Sequence, residues 1–548
     1  MRRAIASLFT LSLLFSFLLA VVLGLMVFFG ELSLGLAVVL VLVINGVMLL
    51  VGPFINDLIY RFFYDMTWVS LEELEARSPE SAAVVREITD EYGYSTPKLG
   101  VIHDNNPTAF TYGSGRFNAR VFVSEGLFEY LDDEEVASVV AHEMGHITSR
   151  DFITMTLANT VVQILYLVAV RMIRVGLQAR GIRDPKALIA AFGVLTFLFY
   201  LISDYAVLYL SRVREYAADE FAAGYTDPDS MSLALVKVAY GILETKGDSD
   251  LAKSTKNLGL MAVDESDTEG MMYKSSQEQG RRGLLERSFL FDLKNPWATL
   301  VELKSTHPLT GKRIRALSRM DGASEFDFEA IEREYPVDRS RMRRKFLREF
   351  AVFKLSSYVG ALAAIGYVLA GLFGPIGVSI LGALGVFAVM LGLGSLLKTV
   401  YAYPAPGEGD ATGTLLERLA DPFASPVAGT YIDLTGEIIG KIPAGRKFAR
   451  HVMLRDRTGL VPLLYRSRLP LIGDLLWAWR TVPGLIGEQA TATGWFYRGM
   501  GPRVALDTLE TPDGTHNAGH KLFSLLKAAV LLAIGAALSY AGFVVVPF

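Results

Sequence analysis

The stretch Val139-Val140-Ala141-His142-Glu143-Met144-Gly145-His146 decides how the rest of the chain is to be understood. On a helix of 3.6 residues per turn, positions four apart lie above one another, so His142 and His146 can each turn an imidazole nitrogen toward one metal ion. Glu143 falls on the adjacent face, where a carboxylate can take a proton from an attacking water and pass it to a leaving amine. Two ligands and a base at this spacing point to metal-assisted hydrolysis of a peptide bond. The alternative is a surface helix with incidental histidines. Against it, Ala137, Val140, Ala141 and Met144 put the pair on a partly buried helix.

Two histidines hold a catalytic metal too weakly, and the chain has no cysteine, so any zinc is held by His and carboxylate. The segment Ser211-Arg212-Val213-Arg214-Glu215-Tyr216-Ala217-Ala218-Asp219 supplies a third ligand in Glu215. Asp219, one turn later on the same face, is placed to orient a ligating histidine. Ala217, Ala218, Ala222 and Ala223 leave room for this helix to approach the first. Taken alone, the segment also reads as a solvated, charged helix start after a membrane span.

The surroundings of these motifs are strongly apolar. Of 548 residues 51% are hydrophobic and 20% charged, and the mean hydropathy is +0.35, which suits membrane spans alternating with water-soluble parts. Runs long enough to cross a hydrocarbon layer of ~30 Å suggest about seven spans. These are Ala4 to Gly30, Leu32 to Phe54, Phe152 to Val170, Ala187 to Leu210, Leu355 to Leu397 split in two at Gly374-Pro375, and Ala528 to Phe548. The first is too long, and lacks the cleavage site, to be a signal peptide. Asp204 interrupts the fourth, either lining a polar route to the site or standing at an interface.

The expected organisation is a predominantly α-helical membrane protein. It comprises a transmembrane hairpin (1–55), a zincin-like α+β metallopeptidase domain (56–350) interrupted by a second hairpin (152–210), a third hairpin (351–398), a β-rich soluble domain (399–520) and a terminal span (521–548). Within it, Thr245 to Gln279 reads as a mobile loop or partial lid. The β-rich part, with Tyr431 to Ile439, His451 to Tyr465 and Gln489 to Leu509 alternating, reads as a small OB-like barrel. Its turns are expected at Thr435-Gly436-Glu437, Asp456-Arg457-Thr458-Gly459 and Gly494-Trp495. His516 and His520 are four apart, but Asn517 stands where a base would be and the glycines around them argue for loop. Trp477 and Trp479 suit either an interfacial helix or the core of the β-domain.

Arg2, Arg3, the Arg341 to Arg348 cluster, Lys398, Lys521 and Lys527 fall on one side, the cytoplasmic one by the positive-inside rule. The basic loop Arg174 to Lys186 then lies outside, against the rule. A net charge of -4 gives no reason to expect nucleic acid as a partner.

His-Glu-x-x-His and Ser-Arg-x-Arg-Glu-x-x-Ala-Asp, separated by a hydrophobic hairpin, together resemble the HtpX-type membrane metalloproteases, relatives of the CAAX prenyl endoproteases. The similarity extends to Thr108-Ala109-Phe110, Val121-Phe122-Val123-Ser124-Glu125-Gly126-Leu127, Ser305-Thr306-His307-Pro308 and Lys312-Arg313-Ile314, and covers roughly Met1 to Arg319. The resemblance implies one zinc ion held by His142, His146 and Glu215, Glu143 as base, Asp219 in support, and the strand Val121, Phe122, Val123, Ser124 as the edge that pairs with an extended substrate. Thr108 stands where the family often has an asparagine, which leaves His307 and Arg313 as candidates for oxyanion or active-site support.

The leading expectation is a cytoplasm-facing, multi-pass cell-membrane zinc endopeptidase that removes misfolded or surplus membrane proteins, with unfolded chains and the lipid bilayer as partners. Its rivals are a site-specific CAAX-type processing protease and a non-proteolytic membrane scaffold that retains a metal site. A structural metal site has no need of Glu143.

Overall fold

The computed structural model describes residues 34–178, 184–245, 263–373, 379–407, 414–442, 448–499 and 501–545. The chain forms two compact units, Met1–Gly270 with Leu300–Ala330, and Met271–Thr299 with Ile331–Phe548.

The first unit begins with α1 (Leu34–Phe63), whose Leu42, Val43, Leu50 and Phe54 are exposed, as on a lipid-facing span. Then come β1 (Met66–Val69), α2 (Pro79–Tyr92), β2 (Lys98–Ile102), β3 (Ala109–Gly113) and β4 (Ala119–Ser124). The four strands form one sheet in the order β1-β2-β4-β3, with only β2 and β4 parallel. Tyr60, Phe110, Tyr112 and Phe122 stack beneath it. The buried Arg120 reaches from β4 to Asp57 on α1, with Nη2 to Oδ2 at 2.8 Å, which ties the sheet to the span.

Helix α3 (Asp133–Thr148) is buried from Glu135 to Thr148, so it forms the centre of the unit rather than a surface element. Its start is held by a reciprocal cap. Asp132 accepts from the Glu135 amide at 3.1 Å and Glu135 accepts from the Asp132 amide at 3.0 Å, a motif worth about 1 kcal/mol. Arg150 takes a left-handed conformation, φ 59°, and the chain turns into α4 (Asp151–Gly176). Helix α5 (Pro185–Tyr225) then runs unbroken for 41 residues, about 60 Å. That is twice the hydrocarbon thickness, so it carries the chain from the bilayer directly into the soluble part. Helix α6 (Pro228–Glu244) packs on α3, and α7 (Thr310–Leu317) completes the unit.

In the second unit, α8 (Ser356–Phe373) and α9 (Ile380–Ala402) precede a barrel. The barrel's strands are β5 (Thr430–Ile442), β6 (His451–Arg455), β7 (Leu460–Leu464), β8 (Gln489–Arg498) and β9 (Pro502–Thr511), with β10 (Gly514–Asn517) paired to β9. The ring β9-β7-β6-β5-β8 closes through the β8–β9 pairing. Helix α10 (His520–Tyr540) follows.

Several expectations change. Among the described residues five helices are long and apolar enough to span, or six if the pair Arg339–Leu355 and Tyr358–Ala370, bent by 57°, is counted as one span. The expected span Ala4 to Gly30, with Arg2 and Arg3, lies outside the described residues, as do Arg180, Arg183 and the break at Gly374-Pro375. The expected loop Thr245 to Gln279 is helical over Val263–Gln279, with Met271 and Met272 buried, while residues 246–262 are not described. Gly436 and Gly494 mark no turns. Both lie inside strands, where a Cβ would strike the backbone of Arg455 or Ala505, so these glycines permit close strand approach. The turn at Asp456 to Gly459 forms as expected, the Asp456 carboxylate accepting from the Thr458 and Gly459 amides at 2.7 and 2.9 Å. The two tryptophans divide. Trp477 stacks on Tyr465 at 3.9 Å in the core, whereas Trp479 is 64% exposed.

Candidate metal centre

Helices α3 and α5 meet where Gly145 has no side chain. A Cβ there would stand 3.1 Å from Phe221. Ala218, Ala222 and Ala223 are buried on the α5 face as expected, while Ala217 points outward. This close approach brings Glu215 to the two histidines. One ligand atom each from His142, His146 and Glu215 lie within 4.8 Å of one another, and the rings stand perpendicular at 4.8 Å between centroids.

The orientation of each ring is set by its far nitrogen. His142 Nδ1 lies 3.0 Å from Asp219 Oδ1 and its Nε2 lies 3.7 Å from Glu215. His146 Nδ1 is held at 2.6 Å by Asp151 Oδ2, with Nε2 likewise 3.7 Å from Glu215. Carboxylates on both Nδ1 atoms leave both Nε2 lone pairs turned toward Glu215, the arrangement a metal requires.

Behind these groups stand two arginines. Arg313, 1% exposed, grips Asp219 with Nε and Nη2 at 2.7 and 2.6 Å, and Arg214 reaches Asp151 at 2.7 Å. Sequence reasoning assigns no role to Asp151 or Arg214. Asp151 is five residues past His146, and only the left-handed break at Arg150 returns it to the ring. Arg212 donates to the carbonyls of Glu302 and Ser305 at 3.0 and 2.8 Å. This fixes the loop that carries His307, whose Nδ1 stands 3.0 Å from Glu215 Oε2.

The donor set fits a cation. Glu215 Oε2, both ring nitrogens of His307 and, despite its 3.0 Å approach to Asp219, His142 Nδ1 are buried without a well-directed hydrogen bond, a costly state for polar atoms unless another group satisfies them. Burial opposes charge on His142, yet Asp219 and Glu215 outweigh it and push the ring up to about 9, the mark of a site rich in negative charge. Glu143 is 3% exposed, and burial raises its carboxyl above the usual carboxylate range.

Other residues singled out from the sequence fall elsewhere. Val121 to Ser124 is not a free edge, because β4 is paired to β2 on one side and to β3 on the other. The open edge of the sheet on that side is β3. Thr108 is buried, its amide donating to Ser124 Oγ at 2.9 Å, and the Asn106 side chain is engaged by Thr245 at 3.0 Å. Asp204 is exposed on α5. His516 packs against Trp477 while the His520 ring meets the Leu464 carbonyl at 2.7 Å, so the two form no common site.

Comparison with known proteins agrees with this geometry. The model of peptidase family M48 matches residues 75–321. A "Protease HtpX homolog" of Methanothermobacter thermautotrophicus is 32% identical over 216 residues, covering 37% of this chain and 80% of its own length. Those of Pseudarthrobacter chlorophenolicus and Thermococcus sibiricus are 32% and 28% identical, covering 32% and 46% of this chain and 59% and 78% of their own lengths. The chain thus spans 59% to 80% of the length of these three relatives. Among solved structures, that of S. mikatae Ste24p aligns over 57% of this chain and 65% of its own at 17% identity and TM-score 0.37, a likeness too slight to inform the fold. With a relative matched over four-fifths of its length and the family's segment enclosing the whole His/His/Glu site, this multi-pass membrane chain belongs to peptidase family M48, the metallopeptidase family of the HtpX proteases.

Proposed function

We propose that the chain is a zinc-dependent endopeptidase of the cell membrane whose site faces the cytoplasm and which hydrolyses misfolded or surplus membrane proteins. The observation that carries this reading is the pair of Nε2 atoms turned toward Glu215 with Glu143 buried beside them. Two imidazoles and one carboxylate are a donor set that suits zinc. Zinc held by His142, His146 and Glu215 would supply the Lewis acid that polarises the scissile carbonyl and makes water a nucleophile at neutral pH.

The chain's own residues do the rest. Glu143 takes the proton from the attacking water and returns it to the leaving amine. His307, whose Nδ1 stands 3.0 Å from Glu215 Oε2, donates through its other ring nitrogen to the developing oxyanion. Arg313 has its fork occupied by Asp219, so it acts by positioning His142 through that carboxylate. An extended substrate adds to the free edge of β3, Ala109–Gly113, which packs against α3. Main-chain pairing of this kind favours unfolded segments over one side-chain sequence.

Cytoplasmic sidedness is supported by exposed Arg341, Arg343, Arg344 and Arg348 ahead of α8. The five-stranded ring supports an OB-like reading of the barrel. The domain limits proposed are 56–350 for the peptidase, with its hairpin 152–210, and 399–520 for the β-rich domain.

The test is Glu143→Gln, assayed on unstructured casein in detergent with bound zinc quantified in parallel. Zinc should remain while cleavage falls roughly 10²- to 10⁴-fold. Undiminished cleavage refutes the mechanism, and wild-type failure on casein with clean cutting of one prenylated peptide refutes the quality-control role.

A further inference from the structure

The second unit holds a cavity of ≈ 450 Å³ lined by Lys398, Arg450, Arg466 and Lys527 together with His451 and His520. Among the described residues its lining includes no carboxylate. The nearby Asp474 is engaged by Arg450 at 2.5 Å and by the Ser467 amide at 2.6 Å. Arg466 lies 4.3 Å over the ring of Phe523, which fixes its guanidinium. Among the described residues neither Arg466 nor Lys527 has an ion-pair partner. The field of these cations is felt by His451. Its Nδ1 accepts from the Tyr465 amide at 3.0 Å, and burial together with Arg450, His520 and Arg466 pushes it down to about 4.

The height of the cavity is set by the helices that frame it. On α9 and α10, Gly385 meets Ser539, Gly392 meets Leu532, and Val389 meets Gly535. Rising numbers on one helix meet falling numbers on the other, so the two spans are antiparallel, and continuing that register brings Lys398 opposite Leu526, next to Lys527. Both lysines close an uncharged run, Ile380 to Leu397 and Ala528 to Phe548. They therefore stand where the pair of spans leaves the hydrocarbon, at the depth of lipid headgroups.

We propose that this cavity binds the phosphate of an acidic phospholipid headgroup, with Lys398, Arg466 and Lys527 as its cationic partners. The volume lies within the range of small-ligand sites, large enough for a phosphodiester and its polar substituent. The chemistry recognised is a phosphate anion. Free phosphate would satisfy the charges equally, but a cavity placed at the ends of two spans meets lipid phosphates at far higher local concentration.

The test uses the full chain purified in detergent, offered an equimolar mixture of phosphatidylglycerol and phosphatidylcholine with identical acyl chains, and read by native mass spectrometry. A parallel titration with inorganic phosphate in lipid-free micelles separates the two sources. One phosphatidylglycerol should be retained under conditions that strip phosphatidylcholine. Arg466→Gln with Lys527→Gln should weaken that retention roughly thirtyfold, about fivefold per cation. Arg480→Gln, an exposed charge outside the cavity, should change nothing. Lys398→Arg with Lys527→Arg should keep the preference, which separates loss of charge from loss of folding. Equal retention of the two lipids, or an unaltered preference in the Gln double variant, overturns the proposal. Phosphate binding without any lipid preference overturns its assignment to the membrane.

Discussion

Arg313→Met tests whether the support behind the metal ligands is what holds the centre together. The guanidinium and Asp219 are both almost fully buried, 1% and 2% exposed, and joined by two bonds of 2.7 and 2.6 Å. Methionine nearly fills the volume but leaves the carboxylate with His142 at 3.0 Å as its remaining positive neighbour. Breaking one partner of a buried pair costs about 3–5 kcal/mol, and the surviving contact to His142 argues for the lower end. For a unit of roughly 300 residues, with an unfolding entropy of about 2.1 cal/mol/K per residue, that corresponds to a fall in Tm of about 5–8 °C. The assay is thermal unfolding of the detergent-solubilised chain with excess chelator, so that metal linkage does not contribute. Asp219→Asn removes the charge that Arg313 neutralises. Arg313→Met in the Asp219→Asn background should therefore cost at least ~2 kcal/mol less than in the wild type. Purely additive losses, or an Arg313→Met melt within ~0.5 kcal/mol of wild type, would refute the reasoning.

Asp151→Asn should lower zinc affinity ~10- to 100-fold by loosening His146, measured by chelator competition, and unchanged affinity would remove Asp151 from the support of the site. Trp477→Ala should cost the second unit about 3–5 kcal/mol, because the indole stacks on Tyr465 and donates to the Arg450 carbonyl at 2.9 Å. Trp479→Ser, at an exposed position, should stay within ~0.5 kcal/mol, and equal shifts in denaturant midpoint for the two would contradict the division between core and surface.

How much of the protein is legible in its sequence follows from the range of the forces involved. His142, Glu143 and His146 are related by one turn of helix, and Glu215 and Asp219 by another, so helical periodicity suffices to group each set. The apolar runs that become α1, α4, α5, α9 and α10 are legible for a similar reason, since the hydrocarbon layer acts on each segment separately. The strand edge is not legible, because pairing partners are chosen by tertiary contact. Nothing within Val121 to Ser124 says that β2 and β3 will cover both its sides. Gly436 and Gly494 mislead likewise, because the backbone they admit comes from neighbouring strands whose position local sequence does not encode.

By itself, the sequence determined the helix that carries His142, Glu143 and His146, the helix that carries Glu215 and Asp219, and most of the candidate membrane spans, all properties of local periodicity and hydropathy. Only the tertiary structure decided that Asp151 and Arg214 hold His146, that Arg313 acts through Asp219, and that a basic cavity forms from two spans and two strand ends. Those pairings join charges far apart along the chain, or joined across a left-handed break, and low-dielectric burial makes them strong only once packing has excluded water around them.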